Sequence, residues 1–192
     1  MVATSYLAEG IVRFLEAAHQ SLSDAILLYR HKKYASSCIL GVIAAEHIGQ
    51  AIGLRHLRLS PSLPECAELK RRPKHEERLR RALTIIEHQL PQSTSLDDID
   101  ALLRAAETYK GRTPRRFHEL RTRAQYVEPS DDCSSWSTPT SIGPQDVYHL
   151  LLNVGNNYRN LLLGLLQDSE VEAEVVRLDL RQTLEATSDI WP

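Results

Sequence analysis

At 192 residues, with 42% hydrophobic and 25% charged positions, the chain has the length and composition of one globular domain with a full core, which argues against long disorder and against two domains. The net charge of −2 hides an uneven distribution: residues 1–54 are neutral, residues 55–123 carry sixteen basic against ten acidic groups, and residues 124–192 carry three against eleven. Three scattered cysteines, Cys38, Cys66 and Cys133, argue against a disulfide framework and a four-ligand zinc site and fit a reducing cytoplasm.

In chain order, Leu7, Ile11, Phe14, Leu15, Ala18, Leu22, Ala25, Ile26 and Tyr29 form one apolar stripe and predict a helix over about 5–30, closed by His31, Lys32 and Lys33. A second helix is expected from Tyr34 to Leu57. Its two apolar faces make it central, and Gly41, Ala45, Gly49 and Gly53 on one line predict close approach of a neighbouring backbone. After the loop Ser60–Pro64 a third helix begins near Pro73, with Leu79, Leu83, Ile86 and Leu90 as its stripe and Pro91 as its stop. A capped fourth helix is predicted from Leu96 to Tyr109 and a short one from Arg115 to Gln125. The run from Glu128 to Pro139 is expected to be a polar loop with Trp136 as its anchor. A long helix follows Pro144, and an acidic one spans about 169–187. No segment alternates like a strand, so the expectation is an all-α antiparallel bundle, one domain over 1–192 with its core in about 5–167. The second helix and the helix after Pro144 are expected to supply most of that core. No leader is visible and Leu161–Leu166 is too short to span a bilayer, so a cytoplasmic protein without membrane contact is expected.

Among residues that can carry chemistry, Glu46 comes first. It sits within an apolar helix, where a carboxylate is costly without a cationic or hydrogen-bonding partner. His75 and Arg78, three apart, share a face of the third helix and would join Glu46 in a polar cluster if that face meets the second helix. Such a cluster serves equally as a salt bridge that fixes helix register. A second concentration runs from Lys110 to Arg123, with Arg112, Arg115, Arg116, His118, Arg121 and Arg123. It suits either an RNA backbone or pairing with the acidic C-terminal helix. Phosphate-binding glycine loops, a GxSxG elbow and a zinc-binding HExxH are absent; Asp97, Asp98 and Asp100 read as helix-start residues rather than ligands, and no metal or cofactor is expected.

The segments Ala45–Ala51, Lys74–Arg78, Arg121 through Tyr126-Val127-Glu128, and Trp136 with Pro139 together resemble the AbiV family of bacterial abortive-infection proteins, within the helical HEPN superfamily. The resemblance covers about 8–165. Glu46 and Gly49 match the family's Glu-Glu-x-Gly-Lys segment, whereas His47 and Gln50 replace its second acid and its lysine. His75 matches the His-x-x-Lys segment with Arg78 for lysine, and Glu128 replaces the aspartate of Tyr-Val-Asp. What the resemblance implies is a homodimeric antiphage protein, many of whose superfamily relatives cut RNA without a metal using an Arg followed by a His with four to six residues between them. Arg13 with His19, Arg81 with His88 and Arg112 with His118 have that spacing. About two such pairs arise by chance in this composition, so spacing alone selects none. The expected catalytic set is Glu46, His75, Arg78, Arg112 and His118, with Arg115, Arg116, Arg121 and Arg123 as RNA-binding residues. Two functions of different class follow. One is a toxin-like inhibitor of gene expression that cleaves RNA; the other is a non-catalytic module that blocks the translation machinery or senses a phage protein by binding.

Overall fold

The computed structural model describes residues 4–58, 74–83, 116–126, 128–129 and 136–165. Helix α1 (Thr4–Arg30) and helix α2 (Tyr34–Arg58) form a hairpin. Its turn is a Schellman motif: Lys33 N–H donates to Leu28 O and Lys32 N–H to Tyr29 O, both at 2.9 Å, and Lys32 takes the left-handed conformation at φ 58°. Glycine is the usual residue there, because a Cβ is crowded at positive φ. The two helices run antiparallel. Gly10 near the start of α1 lies against Leu54 near the end of α2, while Ser37 at the start of α2 donates through Oγ to Ala25 O at 2.6 Å near the end of α1.

Helix α3 (His75–Leu83) packs on the second half of α2, helix α4 covers 116–125, and helix α5 (Pro144–Leu165) crosses α2 and α1. Helix α5 starts as its sequence dictates, with Pro144 at the first position and Asp146 in the first turn, where missing donors and a positive dipole end favour them. Successive residues of α3 meet successive residues of α2, His75 at Glu46, Arg78 at Gly49 and Arg81 at Gly53, so α3 runs in the same direction as α2. The fold is all-α.

The run from Glu128 to Pro139 differs from the expected plain loop. Strands β1 (Glu128–Pro129) and β2 (Trp136–Ser137) pair antiparallel, and a 3-10 turn (Pro139–Ser141) follows. Pro129 is paired within β1 and Pro139 follows β2, and neither ring nitrogen has a hydrogen to give to a ladder. Ser141 Oγ donates to Thr138 O at 2.6 Å and the next residue, Ile142, is buried, so the turn plugs into the core.

That core draws on more than the two helices expected to supply most of it. Helix α1 packs more extensively on α2 than α5 does, through Leu7, Ile11, Leu15, Leu22 and Ile26. Val147, Leu150, Val154, Tyr158 and Leu162 come from α5, and Phe117, Leu120 and Ala124 from α4. Helix α2 is the one described helix long and apolar enough to cross a membrane by composition, and 67% of its apolar stretch is buried inside the protein. The predicted helices over 96–109 and 169–187 lie outside the described residues, as do Ser60–Pro64 and the end of the third helix.

Candidate functional site

Glu46, on α2, is buried, and three side chains from two other helices converge on it. From α3, His75 Nδ1 lies 2.9 Å from Oε2 and Arg78 Nη1 lies 3.5 Å from the same oxygen; from α4, Arg121 Nη1 donates to Oε1 at 2.6 Å. A buried carboxylate is stable only with such donors, and charge-assisted bonds of this length are the strong kind. The side chain of Glu46 is 8% exposed and that of His75 is 55% exposed, so the cluster has a buried acidic floor and an imidazole at its rim.

Backbone packing makes the meeting possible. A Cβ built on Gly49 would overlap the Arg78 carbonyl group, 2.6 Å from its carbon and closer still to its oxygen. Only glycine admits the main chain of α3 here, which sets the depth at which His75 and Arg78 reach Glu46. Gln50, one position on, completes the hold. With its carbonyl turned to α3 it accepts from Arg78 Nε and Nη1, both at 3.1 Å, whereas the reverse orientation would set its NH2 against the guanidinium.

The carboxylate also fixes the imidazole's tautomer. Glu46 only accepts, so the Nδ1 that faces it carries the hydrogen. Arg121 Nη1 is also 3.4 Å from Nδ1, but an arginine only donates, and the shorter contact to the carboxylate decides the assignment. Nε2 is then left with a lone pair, the arrangement that lets an imidazole accept a proton.

On the far side of Glu46, His47 packs its ring on Phe14 at a centroid distance of 6.0 Å. Burial pushes its pKa below 6.5; Glu46 pulls it up and Arg78 pushes it down. His47 is thus held neutral beside the cluster, and its buried Nδ1 has no hydrogen-bond partner among the described residues.

The other sequence-derived candidates are distributed differently. Arg121 belongs to the Glu46 cluster rather than to an open basic surface. Arg116 pairs with Asp146 at 3.4 Å and ties α4 to the first turn of α5, and Arg123 donates to Ser141 O at 3.5 Å and ties α4 to the 3-10 turn before it. His118 is exposed on α4, one turn before Arg121. Arg112 and Arg115 lie outside the described residues, as do His88, Asp97, Asp98 and Asp100. Arg13 pairs with Glu9 and Glu16, and His19 is half-buried with its ring centroid 6.1 Å from that of Tyr158, so nothing joins those two members of a spaced pair. Cys38 is a core thiol pushed up to about 12 chiefly by burial, and is inert as a nucleophile.

Gln50 was absent from the candidate set, although its departure from the family's lysine pointed to it. For Arg121 the signal was phase: Phe117, Leu120 and Ala124 mark the buried stripe of α4, and Arg121 borders it.

The family model HEPN_AbiV, described as AbiV, matches residues 6–158, a span that takes in Glu46, His75, Arg78 and Arg121. Comparison with curated proteins and with solved structures gave no match. The chain belongs to the AbiV family of HEPN-type helical proteins, and this membership implies an abortive-infection, antiphage role.

Proposed function

We propose that this protein carries out its antiphage role as a toxin-like inhibitor of gene expression that cleaves RNA, with His75 as the proton-transfer group. The observation that carries the reading is His75 itself, held through Nδ1 by a buried carboxylate while more than half of its side chain is exposed. In the reaction, His75 Nε2 accepts the proton of a ribose 2′-hydroxyl as its oxygen attacks the adjacent phosphorus. Arg121 and Arg78, both in contact with Glu46, supply positive charge beside the phosphate as negative charge builds on its oxygens. Glu46 orients the imidazole and stabilises it once protonated, the role a carboxylate plays behind any histidine base. The expected working form is a cytoplasmic homodimer that acts on RNA or on the translation machinery, in response to a phage protein.

Controlled expression of wild type and His75→Gln in cells, with total RNA resolved by electrophoresis and end mapping, tests this. New RNA ends that accompany growth arrest and vanish in the variant are expected, as is cleavage by purified protein in a chelator. Growth arrest with intact RNA in both strains would overturn it.

A second reading is a non-catalytic module that inhibits by binding. Gln50 favours it: the residue at the family's lysine position is used to hold Arg78, which is what a structural clamp requires. Under this reading a ribosomal or phage protein co-purifies and RNA stays whole.

A further inference from the structure

A cleft between the first half of α1 and the end of α2 has no part in the chemistry at Glu46. It is half open, holds about 280 Å³ and is lined by Tyr6, Glu9, Gly10, Arg13, Phe14 and Leu54. Tyr6, Gly10 and Phe14 follow one another at four-residue intervals and so stand in line along α1. Gly10 carries no side chain, and a Cβ built there would come within 2.9 Å of Leu54 Cδ1, so two aromatic positions flank a gap floored by leucine. Small-molecule sites range over about 300–1,000 Å³. A cleft at the bottom of that range admits one flat ring system and excludes a base pair or a folded peptide.

The rim selects the kind of ring. Arg13 lies 3.2 Å from Glu16 and 3.7 Å from Glu9, all about half exposed, so its charge is answered locally and the rim does not draw phosphate. What the rim offers is guanidinium donors and carboxylate acceptors side by side. The edge of a nucleobase carries the complementary set of acceptors and donors, and these side chains are among those that read it. An aliphatic side chain from a protein partner would match the floor of the cleft and leave the rim unanswered. At the Glu46 cluster the balance is opposite, with two guanidinium groups against one carboxylate, which suits phosphate.

Cleft and cluster share one surface. His47, Gln50 and Leu54 form a half-buried line on α2 at helical spacing. His47 adjoins Glu46 in the chain, feels the charges of Glu46 and Arg78, and meets the cleft through Phe14, the ring centroids being 6.0 Å apart. Gln50, with its carbonyl turned to α3, accepts from Arg78 at 3.1 Å and precedes Leu54 by one turn, about 5–6 Å. A strand whose phosphate rests at Arg78 and Arg121 thus has the cleft within reach of a neighbouring base.

We infer that the α1–α2 cleft is a base-binding subsite, in which one unpaired nucleobase of the RNA held at the Glu46 cluster stacks on Tyr6 and turns its edge to Glu9 and Arg13; this rests on the RNA-cleaving reading above. The substrate is then single-stranded RNA, since a base in a duplex is not free to leave its partner and its stack.

The test uses the full chain, as wild type, Tyr6→Ala and Tyr6→Phe. The substrates are a short single-stranded oligoribonucleotide that carries every base, the same strand paired with its complement, and a series in which the base is removed from one nucleotide at a time. Tyr6 is 61% exposed, so both variants are expected to fold, and circular dichroism checks that they do. Wild type should cut the single strand and spare the duplex. Removal of one base near the cleaved bond should raise KM about 5–20-fold for wild type. Tyr6→Ala should raise KM by a similar factor on the intact strand and be indifferent to loss of that base, whereas Tyr6→Phe, which keeps the ring, should behave as wild type. A purely structural role for Tyr6 would leave the sensitivity to that base undiminished in Tyr6→Ala. That result, or equal cleavage of duplex and single strand, overturns the subsite and leaves the RNA-cleaving reading standing. No cleavage by wild type on any strand overturns both together.

Discussion

Along α2, Gly41 lies against the side chains of Leu150 and Leu151, with a Cβ built there 3.1–3.2 Å from their methyl groups, whereas Gly49 lies against the main chain of Arg78. The first contact belongs to the apolar region where α1, α2 and α5 interlock. The second belongs to the polar region where α2 receives α3 and α4 around Glu46. Apolar packing is non-directional and tolerates small adjustments of flexible side chains. The polar region is directional: one carboxylate must meet donors from two other helices, and the depth of approach is fixed by backbone against backbone. The two regions should therefore answer differently to similar changes.

The largest difference is expected at Glu46. Removing its carboxylate with Glu46→Ala leaves Arg78 and Arg121 facing each other in a largely enclosed space, and loss of one partner from such a network typically costs about 3–5 kcal/mol. Glu46→Gln keeps the shape and one acceptor, so its cost should be visibly smaller. Urea denaturation of both variants checks this, and equal midpoints for the two would show that the shape and acceptor kept by glutamine contribute nothing and that the charge alone holds the polar region.

A single added methyl separates the regions more sharply. Gly49→Ala forces α3 away from α2, because the obstructing atoms are the Arg78 carbonyl carbon and oxygen; about 2–3 kcal/mol is expected. Gly41→Ala meets only the ends of two leucines, which can turn, and should cost about 1 kcal/mol. A thermal melt that ranks Gly41→Ala as the worse of the two would break the comparison.

Acidification probes the histidines beside each region. His19 is held below 6.5 by burial near Tyr158, and His47 is held below it by burial beside Glu46. In the interval between those lowered values and 6.5 the unfolded chain binds more protons than the folded one, so stability rises with pH there. Their contribution is complete above the unfolded value and is lost as pH falls through it toward the folded values. Urea midpoints at about pH 7.5 and about pH 5.5 should show this loss, and His19→Gln with His47→Gln should flatten it.

The smallest effect, and a stabilising one, lies outside both regions. Lys32→Gly relieves the left-handed residue of the α1–α2 turn, offset by the greater freedom of glycine when unfolded, for a net gain of about 0.5–1 kcal/mol. A raised melting temperature with an unchanged denaturant slope is the expected signature.

Much of this organisation was legible in residue order. The 3.6-residue period of Leu7, Ile11, Leu15 and Leu22 fixed α1 to within a residue, and Pro144 marked the start of α5, because both signals are local. The small-residue line on α2 announced close packing but not its partners. The pairing of Glu128–Pro129 with Trp136–Ser137 was invisible, since two residues on each side are too few for an alternating pattern.

For the candidate site, the sequence by itself established that Glu46 needed a partner, because an apolar helix cannot carry a bare carboxylate. It also put His75 and Arg78 on one face by their spacing. The tertiary structure decided which donors answered. Arg121, 75 residues away in the chain, makes the shortest bond to Glu46, and Gln50 rather than a second acid secures Arg78. Contacts of that separation depend on how deeply helices seat against one another. That depth is set at Gly49, where the missing side chain matters only once α3 is in place.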